Sequence, residues 1–205
     1  MLIQAQVGPA VSSTSLGAGT NPNLRLDNLG GLTVTQLNPR YYEETYRRQT
    51  YTIANQAGVT TTTTLTSGQT YTGLFIQNPT TSTVNVVLTK AGYAITVVGT
   101  AGVIGLMTGT GASISATLVT PRNRFVGGVG SQCLAAATTT LPGTPVIETI
   151  LGSQTTALDA GIGPKVIDLE GSLILPPGAF CAFYTSTATG ASGFFGSFQW
   201  IEVPI

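Results

Sequence analysis

From Gln49 to the C-terminus the chain is a succession of short runs of apolar residues and Thr, separated by Gly, Pro, Asn and Ser. "YTGLFIQ" at 71–77 and "TVNVVLT" at 83–89 show the period of a strand with one buried face, built from the Thr, Val, Ile and Tyr that suit a pleated surface. The pattern predicts successive strands at "QTYTIAN" (49–55), "VTTTTTLT" (59–66), "TYTGLFIQ" (70–77), "TVNVVLTK" (83–90) and, opened by "AG", "YAITVV" (93–98). "ASISATLVT" and "PRNRFVGG" follow. In "SQCLAAATTTL" (131–141) the alanines permit a short helix and the threonines oppose it.

The final third is the most regular, with "TPVIETIL", "KVIDLEG", "SLIL", "AFCAFYTST" and "FFGSFQWIEVPI" as strands between turn residues. Pro176, Pro177 and Gly178 predict a tight turn, because Pro fixes φ near its turn value and Gly supplies a positive one. Eight or more short strands at roughly 8–12-residue spacing predict an all-β antiparallel sandwich or barrel. The expected fold is a jelly-roll β-sandwich over residues 49–205, preceded by an extended N-terminal arm and charged linker over residues 1–48. The first forty residues carry only scattered apolar side chains, with "LTVTQL" (32–37) as one short strand. Such an arm cannot bury itself, so it is expected to lie on a neighbouring subunit; a free tail is the alternative.

Charge changes this picture. Only 8% of the residues are charged, where soluble domains carry roughly 25%, and eight Lys+Arg balance eight Asp+Glu. Uncharged β surfaces without net repulsion associate edge to edge, which suits a protein covered by copies of itself or by a larger assembly. A plain hydroxyl-rich domain is the alternative. Zero net charge and the lack of a basic tail argue against nucleic-acid binding. Cys133 and Cys181 lie too far apart for a CxxC or zinc motif and read as buried free thiols, with a single disulfide as the alternative. The N-terminus lacks the features of a secretory signal, and Asn21 and Asn78 are each followed by Pro, which removes glycosylation sequons. The uncharged stretch from Ala91 to Pro121 is interrupted by Thr and Gly before the ~20 residues that a membrane span requires, so two buried strands are expected there.

Catalytic chemistry finds no support. The chain has no His, which removes Ser-His-Asp, Cys-His and His-containing zinc sites, and it has no phosphate loop and no calcium loop. No cofactor or metal is expected. Asp168 and Glu170, two apart in "KVIDLEGS", share a strand face and form the one carboxylate pair that a glycosidase could use; next to a Gly-Ser turn they read as solvent-facing.

Against this uncharged background stands "NPRYYEETYRR", residues 38–48, with three Arg, two Glu and three Tyr. Asn38 is a permissible N-cap and Pro39 a favoured first helical residue, and Glu43–Arg47 and Glu44–Arg48 are spaced i, i+4, so one or two helical turns are expected over 39–48. Each such pair contributes only about 0.2–0.5 kcal/mol, so packing must hold the segment. Tyr and Arg favour protein interfaces, and Arg40, Tyr41, Tyr42, Glu43, Glu44, Tyr46, Arg47 and Arg48 are therefore the candidate protein-interface residues. A solvated surface linker is the alternative. The two glutamates oppose phosphate binding at the same patch.

The terminal block "GSLILPPGAFCAFYTSTATGASGFFGSFQWIEVPI", residues 171–205, resembles the closing strands of jelly-roll structural proteins of tailed-phage virions. It has their apolar strand, Leu-Pro-Pro-Gly turn, "A-Y-T" strand, small-residue loop and final "F-x-W-x-E-x-P" edge; earlier strands match only in style. The resemblance implies a non-enzymatic, often homotrimeric protein of the virion, made in the host cytoplasm, whose partners are itself, the major capsid protein or other virion proteins. Neither nucleic acid nor a membrane is expected among the partners. A capsid decoration or cement protein is the first expectation. A receptor- or glycan-binding module of a fibre or tail, presenting Phe194 and Phe195 to a sugar, is the second.

Overall fold

Alternation along the last strand shows how the sheets are built. Phe194, Gly196, Phe198 and Trp200 turn inward and are buried, while Phe195, Ser197, Gln199 and Ile201 face outward and are half-exposed. A computed structural model describes residues 40–97, 101–115, 119–154 and 162–205. The chain divides between Glu43 and Glu44 into two units. One short helix, α1 (Tyr42–Tyr46), precedes ten strands: β1 (Thr50–Ala54), β2 (Thr70–Gln77), β3 (Val84–Ile95), β4 (Gly102–Thr110), β5 (Arg122–Asn123), β6 (Leu134–Thr140), β7 (Val146–Gln154), β8 (Ile162–Leu175), β9 (Ala179–Thr185) and β10 (Phe194–Pro204).

The strands form two antiparallel five-stranded sheets packed face to face, ordered β5-β1-β10-β3-β8 and β6-β2-β9-β4-β7. The pairing is nested. β1 pairs with β10, β2 with β9, β3 with β8 and β4 with β7, so the chain from β1 to β4 is matched in reverse by the chain from β7 to β10. Between the halves, β5 and β6 add to the outer edges of β1 and β2.

The core between the sheets gathers Leu74 and Ile76, Val86 and Leu88, Ile104 and Leu106, and Phe183, Phe198 and Trp200. Phe183 stacks on Phe198 with ring centroids 4.7 Å apart, and Tyr51 on Trp200 at 6.1 Å. A second cluster, Tyr71, Phe75, Met107, Leu141, Phe180 and Ala182, is packed by Leu65, Ile114 and Tyr184. β2 is therefore buried continuously from Gly73 to Gln77, where alternation predicts one exposed face.

Asn78 ties the sheet-to-sheet crossings together. Its Nδ2 donates to Val84 O (2.7 Å) and Leu175 O (2.9 Å), and its backbone exchanges bonds with Ala179 O and Gly178 N. The expected Pro-Pro-Gly turn forms beside it, closed by Ala179 N on Pro176 O at 3.0 Å, with Gly178 at φ 86. It carries the chain from β8 in one sheet to β9 in the other.

Several expected elements differ. "AG" at 91–92 is not a break, since β3 runs through it in register with Phe198 and Ser197 of β10. "KVIDLEG" and "SLIL" likewise form one strand, because Glu170 (φ 51) and Gly171 (φ 78) make an irregular step inside β8 instead of reversing it. "VTTTTTLT" yields only a bridge between Val59 and Phe194; its threonines bond sideways, Thr62 Oγ1 to Thr72 Oγ1 at 2.7 Å and Thr185 Oγ1 to Thr61 Oγ1 at 2.7 Å. The alanines of 135–137 lie in a strand, where their small side chains fit beside β2 and the threonines favour extended backbone. Both cysteines are free and buried. No helix among the described residues is long and apolar enough to cross a membrane. Of the arm and linker expected over residues 1–48, residues 1–39, with the "LTVTQL" strand, Asn38 and Pro39, lie outside the described residues.

Candidate protein-interaction surface

The segment from Arg40 to Arg48 holds one short helix. α1 covers Tyr42–Tyr46, less than the expected 39–48, and none of its residues is buried. Tyr42 is 45% and Tyr46 62% exposed, and Glu43, Arg40 and Arg47 are exposed as well. Tyr41, at φ 66, precedes the helix, and the Arg40 guanidinium lies 4.8 Å from the centroid of its ring.

Arg48 ends the helix in the left-handed region, at φ 63. Its amide donates to Thr45 O (3.0 Å) and the next amide, of Gln49, donates to Glu44 O (2.9 Å). This double bond pattern is the C-terminal cap that usually places Gly at this position. An arginine is held there by what it touches. Asn123 Nδ2 donates to Arg48 O at 2.6 Å, and the guanidinium lies 4.9 Å from the centroid of the Phe125 ring.

Phe125 belongs to a projecting loop, residues 124–130, that "PRNRFVGG" gave little reason to single out. Asn123 Oδ1 accepts from Phe125 N (2.8 Å), Gly128 N donates to Phe125 O (2.8 Å), and Gly127 takes φ 83, so the turn is closed on itself. Tyr51 Oη reaches Gly130 O at 3.5 Å. Behind the loop the buried Glu202 carboxylate accepts from Ser131 Oγ, from Gln132 N (3.1 Å) and from Trp200 Nε1 (3.3 Å). Burial, and then the Glu202 charge, push the Tyr51 phenol up. The loop thus stands on a fixed base while Phe125, Val126 and Val129 remain exposed at its tip. Arg122 lies on β5 just before it and Arg124 is its first residue, with Arg124 Nη1 donating to Gln199 Oε1 at 3.2 Å. The sequence carries only a faint signal there, two arginines around Asn123 leading into an apolar Phe-Val-Gly-Gly turn.

The other candidates fall elsewhere. Asp168 and Glu170 are exposed on β8, and Asp168 Oδ1 accepts from Glu170 N at 3.1 Å, so that carboxylate caps its own strand's irregular step. Phe194 is fully buried against Phe183, with ring centroids 5.3 Å apart, and cannot face a sugar. Phe195 does reach the outer face, beside a shallow hollow lined by Gly92, Ala94 and Val166. Both thiols are pushed up, chiefly by burial, and Cys133 Sγ donates to Gln77 O at 3.2 Å. Among the described residues no group of His, Cys, Asp or Glu is placed to hold a metal ion.

Comparison with known proteins matches no family model, no curated protein and no solved structure.

Proposed function

We propose that this chain is a structural virion protein of a tailed bacteriophage, a capsid decoration or cement protein that stabilises the head through oligomeric protein contacts and performs no chemistry of its own. The observation that carries the reading is the nested pairing of β1 to β4 with β10 to β7. That order supports a jelly-roll reading, since rolling a long antiparallel ribbon so that alternate strands fall in opposite sheets would produce such pairing, and jelly rolls are common in shell proteins. Its closing strands coincide with the block 171–205 that resembles virion proteins. The near absence of charge adds support, because such a surface persists where neighbours cover it.

In this reading the segment Arg40, Tyr41, Tyr42, Glu43, Glu44, Tyr46, Arg47 and Arg48 supplies a contact to another subunit or to the major capsid protein. Exposed tyrosines and arginines combine apolar area with hydrogen-bonding tips, as interface residues do. Adding purified protein to heads that lack it, and imaging them by electron microscopy, tests the reading. Saturable, symmetric occupancy is expected. Bare heads, with binding instead to host cells or glycans through the Phe195 face, would replace it with a receptor module.

A further inference from the structure

The β body has two unlike edges. One is β5 with its loop, where Phe125, Val126 and Val129 are exposed, Val126 at 93%, among Arg48, Arg122 and Arg124. The other is formed by β7 and β8, the last strands of the two sheets at the opposite end of the strand order. A Cβ at Gly152 of β7 would lie 3.6 Å from Lys165 Nζ of β8, so these two strands share one side of the sandwich. On β7, residues 146–150 are all exposed, so among the described residues neither face of that stretch is covered; Val146 is 65% and Ile150 55% exposed. On β8, Val166 is 69% and Ile174 53% exposed. Three carboxylates, Glu148, Asp168 and Glu170, are exposed along this edge with Lys165, and Lys90 on β3 is the register partner of Asp168.

Long edge strands with unpaired backbone and β-branched side chains are templates for association unless something covers them. Here the charges say what covers them. Setting the loop edge against its own copy puts arginines against arginines, whereas setting it on the β7–β8 edge, where Glu148, Asp168 and Glu170 outnumber Lys165 and Lys90, joins opposite net charges around apolar side chains. The geometry points to a second copy of this chain as the occupant: we propose that the Phe125–Val129 loop of one copy docks on the β7–β8 edge of the next. Such a contact is heterologous, and repeated it closes a ring or runs on as a filament.

This rests on the reading of the chain as a self-assembling shell component, but it fails separately from it. Heads left bare by a chain that self-associates through these edges would remove the virion reading alone. A chain that decorates heads while its edges do not meet would remove this contact alone. The test uses the full chain and two variants, Val126→Asp, which spoils the loop, and Ile150→Lys, which spoils the β7 edge. Both replaced side chains are exposed, so each variant should keep the far-ultraviolet circular dichroism spectrum of the wild type while melting lower only by the stability that assembly contributes; Val129→Asp and Ile174→Lys substitute for either if it does not fold. By sedimentation velocity the wild type should be a closed oligomer or a longer polymer, each variant alone a monomer, and the equimolar mixture a one-to-one dimer joined by the single intact contact. A monomeric wild type, a variant that keeps the wild-type mass, or a mixture with no new species would each overturn the proposal.

Discussion

Arg48 offers a test in which stability and interaction part company. An L-residue in the left-handed region costs roughly 1–2 kcal/mol relative to Gly, and Arg48 sits there at φ 63. Its guanidinium recovers part of that against the Phe125 ring, an exposed cation–π contact of about 0.5–1 kcal/mol. Arg48→Ala loses the ring and keeps the backbone cost, so it should destabilise by about 0.5–1 kcal/mol. Arg48→Gly loses the ring but relieves the backbone, partly offset by about 0.4–1 kcal/mol from the freer unfolded chain, and should fall close to the wild type. Asn123 Nδ2 still bonds the carbonyl of residue 48 in both. Equilibrium urea unfolding should place the Gly variant about 1 kcal/mol above the Ala variant, which is ~2–4 °C in Tm for a chain of this size. Both variants should lose partner binding to a similar degree, since both lack the guanidinium. An Ala variant as stable as the Gly variant, or more so, would refute the left-handed cap.

Three further outcomes are expected. Asn78→Ala should destabilise by about 2–4 kcal/mol in urea unfolding, since it removes a buried donor to Val84 O and Leu175 O; Asn78→Asp should cost more, because a carboxylate would face those carbonyls. Glu202→Gln should stay within about 1 kcal/mol of wild type by keeping an acceptor for Ser131, Gln132 and Trp200, whereas Glu202→Ala should lose about 3 kcal/mol; equal effects would show that the buried bonds are not what matters. Cys133 and Cys181 are buried with raised pKa values, so native protein should resist thiol reagents at neutral pH. Above the usual thiol value of 9.0 the unfolded chain releases protons that the folded chain keeps, so stability should be level below pH 9 and then fall by about 1.4 kcal/mol per pH unit for each thiol, with Tyr71 adding to the fall above its usual 10.0. Rising stability across that range would contradict the burial.

The strands were legible wherever one face meets the core and the other meets solvent. β10 follows the period of two, and β3 does so from Val84 to Leu88 before the irregular step at Thr89, because their sheet has an outer face open to water. β2 escaped that rule because its outer side is covered as well: Gln77 bonds Ala112 O (3.0 Å) and Ile114 N (2.9 Å) of a crossing segment. Local turn chemistry misled where the partner strand decided the outcome. Gly92 and Gly171 looked like breaks, yet the long ladders of β3 with β10 and β8 carry the chain past both. The charged segment stood out by composition alone. Its companions Arg122, Arg124 and Phe125 did not, because only the pairing of β5 with β1 brings them beside Arg48.

A cement protein should change the shell that it coats, and the most direct measurement is the temperature at which heads rupture and release DNA, followed with and without added protein. Rupture should move to higher temperature in step with occupancy, stop rising when the sites are full, and be unaffected by protein in which Arg47 and Arg48 are both replaced by Ala. Heads that carry saturating protein yet rupture at the same temperature as bare heads would contradict the account.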